Sequence, residues 1–381
     1  MLVHQFLKWM ETAPSSRRAD ATSALARAWL YSSLDIEERN AAEAALTLVL
    51  DDPSPIVRRS LAEALCRHPE APRHIILALI QDQTDIASIV LAASPVLMDA
   101  ELVDLAATGG LAIQCAIAVR PVVSCAVGAA LAEIGCEDAC DMLLKNDGAE
   151  WTRSGLWRVA ERFCDSSEIR DTLLGKKDLP LDLRQALIAR LSASLGDFAV
   201  LRAWMPPERA EIVAREACDR ATIAMASEAD GEAVEDLINH LRSTGQLTTV
   251  LLLRALCSGH VVFFETAVTL LSGLPQERVQ SLITSKRHNG FRAIYDRAGL
   301  PTSAFAAFKA ALDLFIDLVE RDPSVEITRL SATMLETVLN AHHDSGTIDN
   351  FDQVTVMLRR LATEAAREDA RAYVRDTGIA A

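Results

Sequence analysis

The sequence predicts an all-α protein: a right-handed α-solenoid of short helix pairs followed by a helical C-terminal region. Three observations predict it. Half of the residues are apolar but only 5% are aromatic, with Ala and Leu dominant, which suits close-packed helices better than sheets rich in β-branched and aromatic side chains. Apolar anchors recur every 26 residues at Leu65, Leu91, Ile117 and Leu143. A second ruler of the same period, Leu79, Leu105 and Leu131, runs through the segments between them. Two rulers with one period place two helices in each repeating unit.

The elements follow in order. Residues 71–81 and 85–93 form one pair, 99–107 and 111–119 the next, 124–134 and 137–145 a third. Ala64, Val90, Ala116 and Met142 hold the register one residue ahead of the first ruler. Turn chemistry separates the segments at Ser94-Pro95, Gly109-Gly110, Arg120-Pro121, Gly135 and Asn146-Asp147-Gly148. Ser or Asp repeatedly stands at a helix start, placed to cap free backbone N–H groups. Helices of about ten residues are marginal alone, so each pair must bury its apolar side against the next. The period loosens after 150, with segments 151–163, 167–174 and 181–195.

Upstream, Asp52-Pro53-Ser54-Pro55-Ile56-Val57-Arg58-Arg59 running into Ser60–Leu65 resembles the HEAT-repeat pattern. That resemblance implies that Arg58 or Arg59 lies along the stack as a structural staple to an acid, with Asp51 or Asp52 as the candidates.

Pro206-Pro207 and the stretch 227–232 break the pattern, which places a boundary near residue 200. The expected organisation is a HEAT-like repeat domain over 1–200, a helical domain over 201–345, and a capping or dimerising helix over 346–381. Within the second part, 303–320 is the clearest amphipathic helix. Phe305, Phe308, Leu312, Phe315, Ile316 and Val319 fall at steps of three and four, opposite Lys309, Asp313, Asp317 and Glu320. Further helices are expected at 327–342 and 351–374.

The chain carries 38 Lys and Arg against 53 Asp and Glu, a net charge of −15. Such a balance opposes nucleic acid and anionic membrane and favours a protein partner with a basic segment. The first 18 residues lack the basic-then-apolar order of an export signal, and no run is long and apolar enough to span a bilayer. A cytoplasmic location is therefore expected, where the eight cysteines read as small buried hydrophobes rather than a disulfide framework.

Several stretches look like the alphaproteobacterial domain of unknown function 2336 family. They are Leu25–Ser32, Ala41–Leu65, Ala71–Leu79, Leu251–Glu265, and Leu274-Pro275-Gln276-Glu277-Arg278-Val279 on through Gly290–Tyr295 to Ala298-Gly299-Leu300-Pro301. The resemblance extends over residues 1 to about 320. It implies a bacterial, helical-repeat protein and brings no activity or catalytic residue with it.

A search for chemistry yields no phosphate loop, no nucleophile elbow and no cofactor signature. Cys136 and Cys140 share a helical face beside Glu137 and Asp141, but a metal site needs more ligands, so packing is the plainer reading. His342-His343-Asp344 reads as a frayed helix end, and Glu133, Asp141 and Asp313 fit solvated faces. One cluster stands out in so acidic a chain: Lys286, Arg287 and His288, then Phe291, Arg292, Tyr295 and Arg297. Arg287, Phe291, Arg292, Tyr295 and Arg297 form the candidate site for an anion or partner, against the plainer reading that the rings face the core and the arginines pair locally.

The function expected is a non-catalytic scaffold or regulatory adaptor, with no cofactor or metal and with a homodimer open. The alternatives are a HEAT-like nucleic-acid-binding or DNA-repair protein, and a ligand-sensing or hydrolytic protein with a cryptic site between its halves.

Overall fold

The computed structural model describes residue 6 and residues 8–284, 288–321, 332–344 and 353–376. Among them the chain is all-helical, with one isolated parallel bridge between Val123 and Ala149. It divides into two compact units, Met1–Asp178 and Leu179–Ala381.

Unit 1 holds α1 (Ser15–Tyr31), α2 (Ile36–Val49), α3 (Pro55–Leu65), α4 (Arg73–Leu79), α5 (Thr84–Ala93), α6 (Asp99–Thr108), α7 (Leu111–Ala118), α8 (Cys125–Ile134), α9 (Glu137–Lys145), α10 (Arg153–Arg162) and α11 (Ser167–Gly175). Capping sets several of the starts. Asp35 and Glu38 form a capping box before α2, and Ser124, Thr152 and Ser166 accept backbone N–H bonds at the starts of α8, α10 and α11. Pro55 occupies the first turn of α3, where its missing N–H costs nothing. Asp85 and Asp99 sit inside the first turn of their helices, not at the cap.

The packing follows the period. Helices pack on the one two further along: α3 on α5, α5 on α7, α7 on α9 and α9 on α11 in one layer, α6 on α8 and α8 on α10 in the other. The anchors Leu65, Leu91, Ile117 and Leu143 are all fully buried, as are Leu79 and Leu131. Each such side chain contributes about 1.5–3 kcal/mol through burial. Leu105 is only half-buried, and Met142 is exposed although it keeps the register.

Polar staples span the same interval. Arg120 donates to the carbonyls of Leu91 and Ser94, Asn146 to those of Ala118 and Arg120 at 2.8 and 2.7 Å, and Lys176 to that of Leu144 at 2.8 Å. Arg162 does the same for Ala132 and Gly135 at 2.8 and 2.7 Å. A helix end leaves its last carbonyls without intrahelical donors, and cations there also meet the negative end of the dipole. Each repeat thus supplies the C-terminal cap of the one before it.

The staple expected at Arg58 is present, but its acid is neither Asp51 nor Asp52. Arg58 forms a two-pronged pair with Asp82 at 2.6 and 2.9 Å, and its third bond goes to the backbone carbonyl of Asp52. Arg59 meets Asp85, and the Asp52 carboxylate belongs to Arg18, at 2.8 Å through both prongs. The Asp52 carboxylate is already taken by Arg18, and the Arg58 guanidinium reaches forward to Asp82.

Unit 2 holds α12 (Leu181–Leu201), α13 (Pro207–Ser227), α14 (Gly231–Ser243), α15 (Thr249–Cys257), α16 (Val261–Ser272), α17 (Gln276–Thr284), α18 (His288–Arg297), a 3-10 turn at Thr302–Ala304, α19 (Phe305–Arg321), α20 (Ala332–Asp344) and α21 (Gln353–Asp376). The boundary falls at 178/179, not near 200. Pro206-Pro207 makes the turn of a long hairpin in which α12 packs on α13 and on α14. α21 packs on α15 and α20 and so belongs to this unit's core. The expected helix starts at 327–331 and 351–352 lie outside the described residues.

Candidate functional site

The basic and aromatic cluster falls on α18, and its rings face inward. Phe291 and Tyr295 are buried, and with Phe264, Phe305 and Phe308 they form an aromatic knot whose centroids lie 5.1–6.4 Å apart. The Tyr295 hydroxyl donates to the Pro301 carbonyl at 2.7 Å, and burial pushes its pKa well above the usual phenol range. Arg292 pairs with Asp296 at 2.9 Å and lies over the Phe305 ring, while Arg297 donates to the Ser272 carbonyl at 2.8 Å. Arg287 and Lys286 lie outside the described residues. The rings that would stack on a ligand are occupied in packing.

Only Cys66, Cys140 and Cys257 are buried, and Cys125 is exposed, so the eight cysteines are not uniformly core residues. Cys136 caps α9, its Sγ accepting from the Ala139 N–H at 3.4 Å, and Cys140 bonds the Leu131 carbonyl. Burial pushes the Cys140 thiol up to about 11. Cys115 is also raised to about 11, by burial first and by neighbouring Cys136 second. Such groups stay protonated at neutral pH and react slowly. Among the described residues no group of three His, Cys, Asp or Glu side chains is arranged to hold a metal ion. His342 is buried in α20, so the helix does not fray before it. Glu133, Asp141 and Asp313 pair with Arg158, Lys145 and Lys309.

Two concavities stand out among the described residues, one in each unit, and sequence reasoning found neither. The first is an open groove of about 830 Å³ between α8 and α10, lined by Ala129, Ala132, Gly155, Trp157, Arg158 and Glu161 among others. Its walls are small because the exposed face of α8 runs through alanines, and small residues leave no periodic signal. Arg158 bonds Glu133 through both prongs at 2.7 and 2.8 Å, which ties the two helices across the groove.

The second is a cleft of about 460 Å³ between α12, α13 and the turn at 245–248, with Ala193, Gly196, Ala214, Cys218, Asp219 and Gln246 in its wall. The buried Gln185 amide donates to Gln246 of this wall at 2.7 Å. Buried Arg254 and exposed Arg215 favour the Asp219 anion, but burial outweighs them and lifts Asp219 to about 6. These groups can hold a proton or a polar ligand.

The chain belongs to a bacterial family described as uncharacterised protein conserved in bacteria (DUF2336), whose sequence model matches residues 86–347. No curated protein and no solved structure matches the chain.

Proposed function

We propose that this member of the DUF2336 family is a non-catalytic adaptor of the bacterial cytoplasm that binds a protein partner on the surface of unit 1. In this reading unit 1 is a right-handed, HEAT-like α-solenoid, and the binding groove is the one between α8 and α10. The observation that carries it is the ladder of repeat-to-repeat bonds from Arg58 to Lys176, which holds successive helix pairs in one register. Stacked pairs fixed in this way present a continuous surface, the feature on which repeat proteins bind peptides and domains. The alanine-walled groove has room for an extended segment or a helix face. Unit 1 carries 26 Asp and Glu against 17 Lys and Arg, so its field favours a partner segment that is basic.

The test is affinity capture from the host lysate with the full chain and with Ala129→Arg, an exposed position that fills the groove. The proposal expects a protein bearing a basic segment to be retained by the wild type and depleted at least about tenfold by the variant, with helical content unchanged. Identical retention by both chains would remove the groove from the account.

A further inference from the structure

The face of α12 that points away from α13 carries a stripe of large apolar side chains. Gly196 marks the inner side, because a Cβ there would stand 3.5 Å from that of Ala214. Phe198 lies two residues on, across the helix axis, with Leu195 and Leu201 three residues to either side. Their exposures are 43%, 60% and 86%, and Trp204 beyond the helix end is 70% exposed. Ala203 takes the left-handed conformation (φ 55°) and turns the chain so that the Trp204 ring meets Phe198 edge-on at 5.6 Å. Arg202 lies over the Phe198 ring, 5.2 Å from its centroid. A non-glycine residue in this conformation is strained.

We infer that this stripe is a homodimer face, on which a second copy of the chain packs α12 against α12 about a two-fold axis. Three observations select a second copy as the occupant. The four side chains expose roughly 500 Å² per chain, the size of the largest apolar patch on an ordinary monomer. Doubling it across a two-fold gives about 1,000 Å² before the rim is added, the area that a specific interface has to clear. Charge makes the same point. Residues 181–227 hold six Arg against six Asp and Glu, whereas the whole chain is at −15. Two strongly acidic chains can therefore meet at this hairpin without bringing net negative charge together. Geometry completes the case: a straight helical stripe is self-complementary when antiparallel, and two hairpins joined through it form a four-helix arrangement with the α13 helices outside. This face and the α8–α10 groove are built from different residues, so either proposal can fail alone.

Sedimentation equilibrium of the full chain between 1 and 100 µM tests it, beside Leu201→Glu and Trp204→Glu. Both positions are exposed, so neither variant should disturb folding, which circular dichroism checks. The inference expects a concentration-dependent dimer whose dissociation constant rises at least about 30-fold in each variant. A monomer at 100 µM would overturn it, since the stripe would then await a different protein. A dimer that both variants leave intact would overturn it as well, by placing the contact elsewhere.

Discussion

Arg120 reaches from the end of α7 to the carbonyls of Leu91 and Ser94 at the end of α5, joining positions 29 and 26 residues apart. The same interval separates Ser94 from Arg120 and Arg120 from Asn146, and Asn146 returns a bond to the Arg120 carbonyl. Burial disfavours the Arg120 cation, and the C-terminal carbonyls of the preceding helix offset that cost.

Replacing Arg120 by Met should cost about 3 kcal/mol, because two carbonyls at a buried helix end lose a charged donor. Urea unfolding followed by circular dichroism measures it. Arg59→Ala, which removes an exposed pair with Asp85, should cost less than about 1 kcal/mol in the same assay.

Gly148 carries a second repeat-to-repeat contact. A Cβ there would stand 1.9 Å from the Pro121 carbonyl oxygen, and the Gly148 carbonyl accepts the Val123 N–H at 3.0 Å. Gly148→Ala must displace backbone, and a loss of about 2–4 kcal/mol is expected in the melting transition. Gly110→Ala meets open space and should change stability by less than about 0.5 kcal/mol.

The ruler itself makes a contrast. Ile117→Ala should cost about 2–5 kcal/mol, since Ile117 is fully buried. Met142→Ala, on the companion 26-residue series one residue earlier but exposed, should cost less than about 1 kcal/mol. Equal costs at both positions would show that register alone, and not burial, governs these sites.

Acid titration should show two opposite signs. Asp82 is held below the usual carboxylate range, chiefly by its bonds to Arg58. Its contribution is complete above the unfolded value near 4 and is lost as pH falls through the folded one. Asp219 is raised to about 6, mainly by burial. The folded chain then binds the extra proton, so stability declines as pH rises from about 4 to about 6, by on the order of 2 kcal/mol. Asp219→Asn should abolish that decline and leave the acid limb from Asp82 unchanged, as read by melting temperatures across pH 3–8.

How much of this was legible in the sequence differs by residue. Leu65, Leu91, Ile117 and Leu143 announce the packing because burial demands apolar side chains at a fixed spacing, and the spacing survives in the letters. Arg58 was legible as a staple through its HEAT-like setting. Its partner was not, since the acid it uses stands in the following repeat. Arg120, Asn146 and Lys176 left no trace, because their acceptors are backbone carbonyls that every residue carries. Asn146 read only as a turn. Phe291 and Tyr295, four apart beside arginines, fit a binding face and a core knot equally well, and Phe305 and Phe308 on α19 decide the matter by packing on them. Pro206-Pro207 signals a helix end but does not say that the chain folds back at once, so a hairpin turn read as a domain boundary.

The proposed solenoid depends on coupling between successive helix pairs, and hydrogen exchange on Arg120→Met tests that coupling most directly. The account predicts that amides of α5 and α9 lose protection together with those of α7, by at least about tenfold, while α15 and α19 are unchanged. Protection lost in α7 alone, with α5 and α9 at wild-type rates, would contradict it.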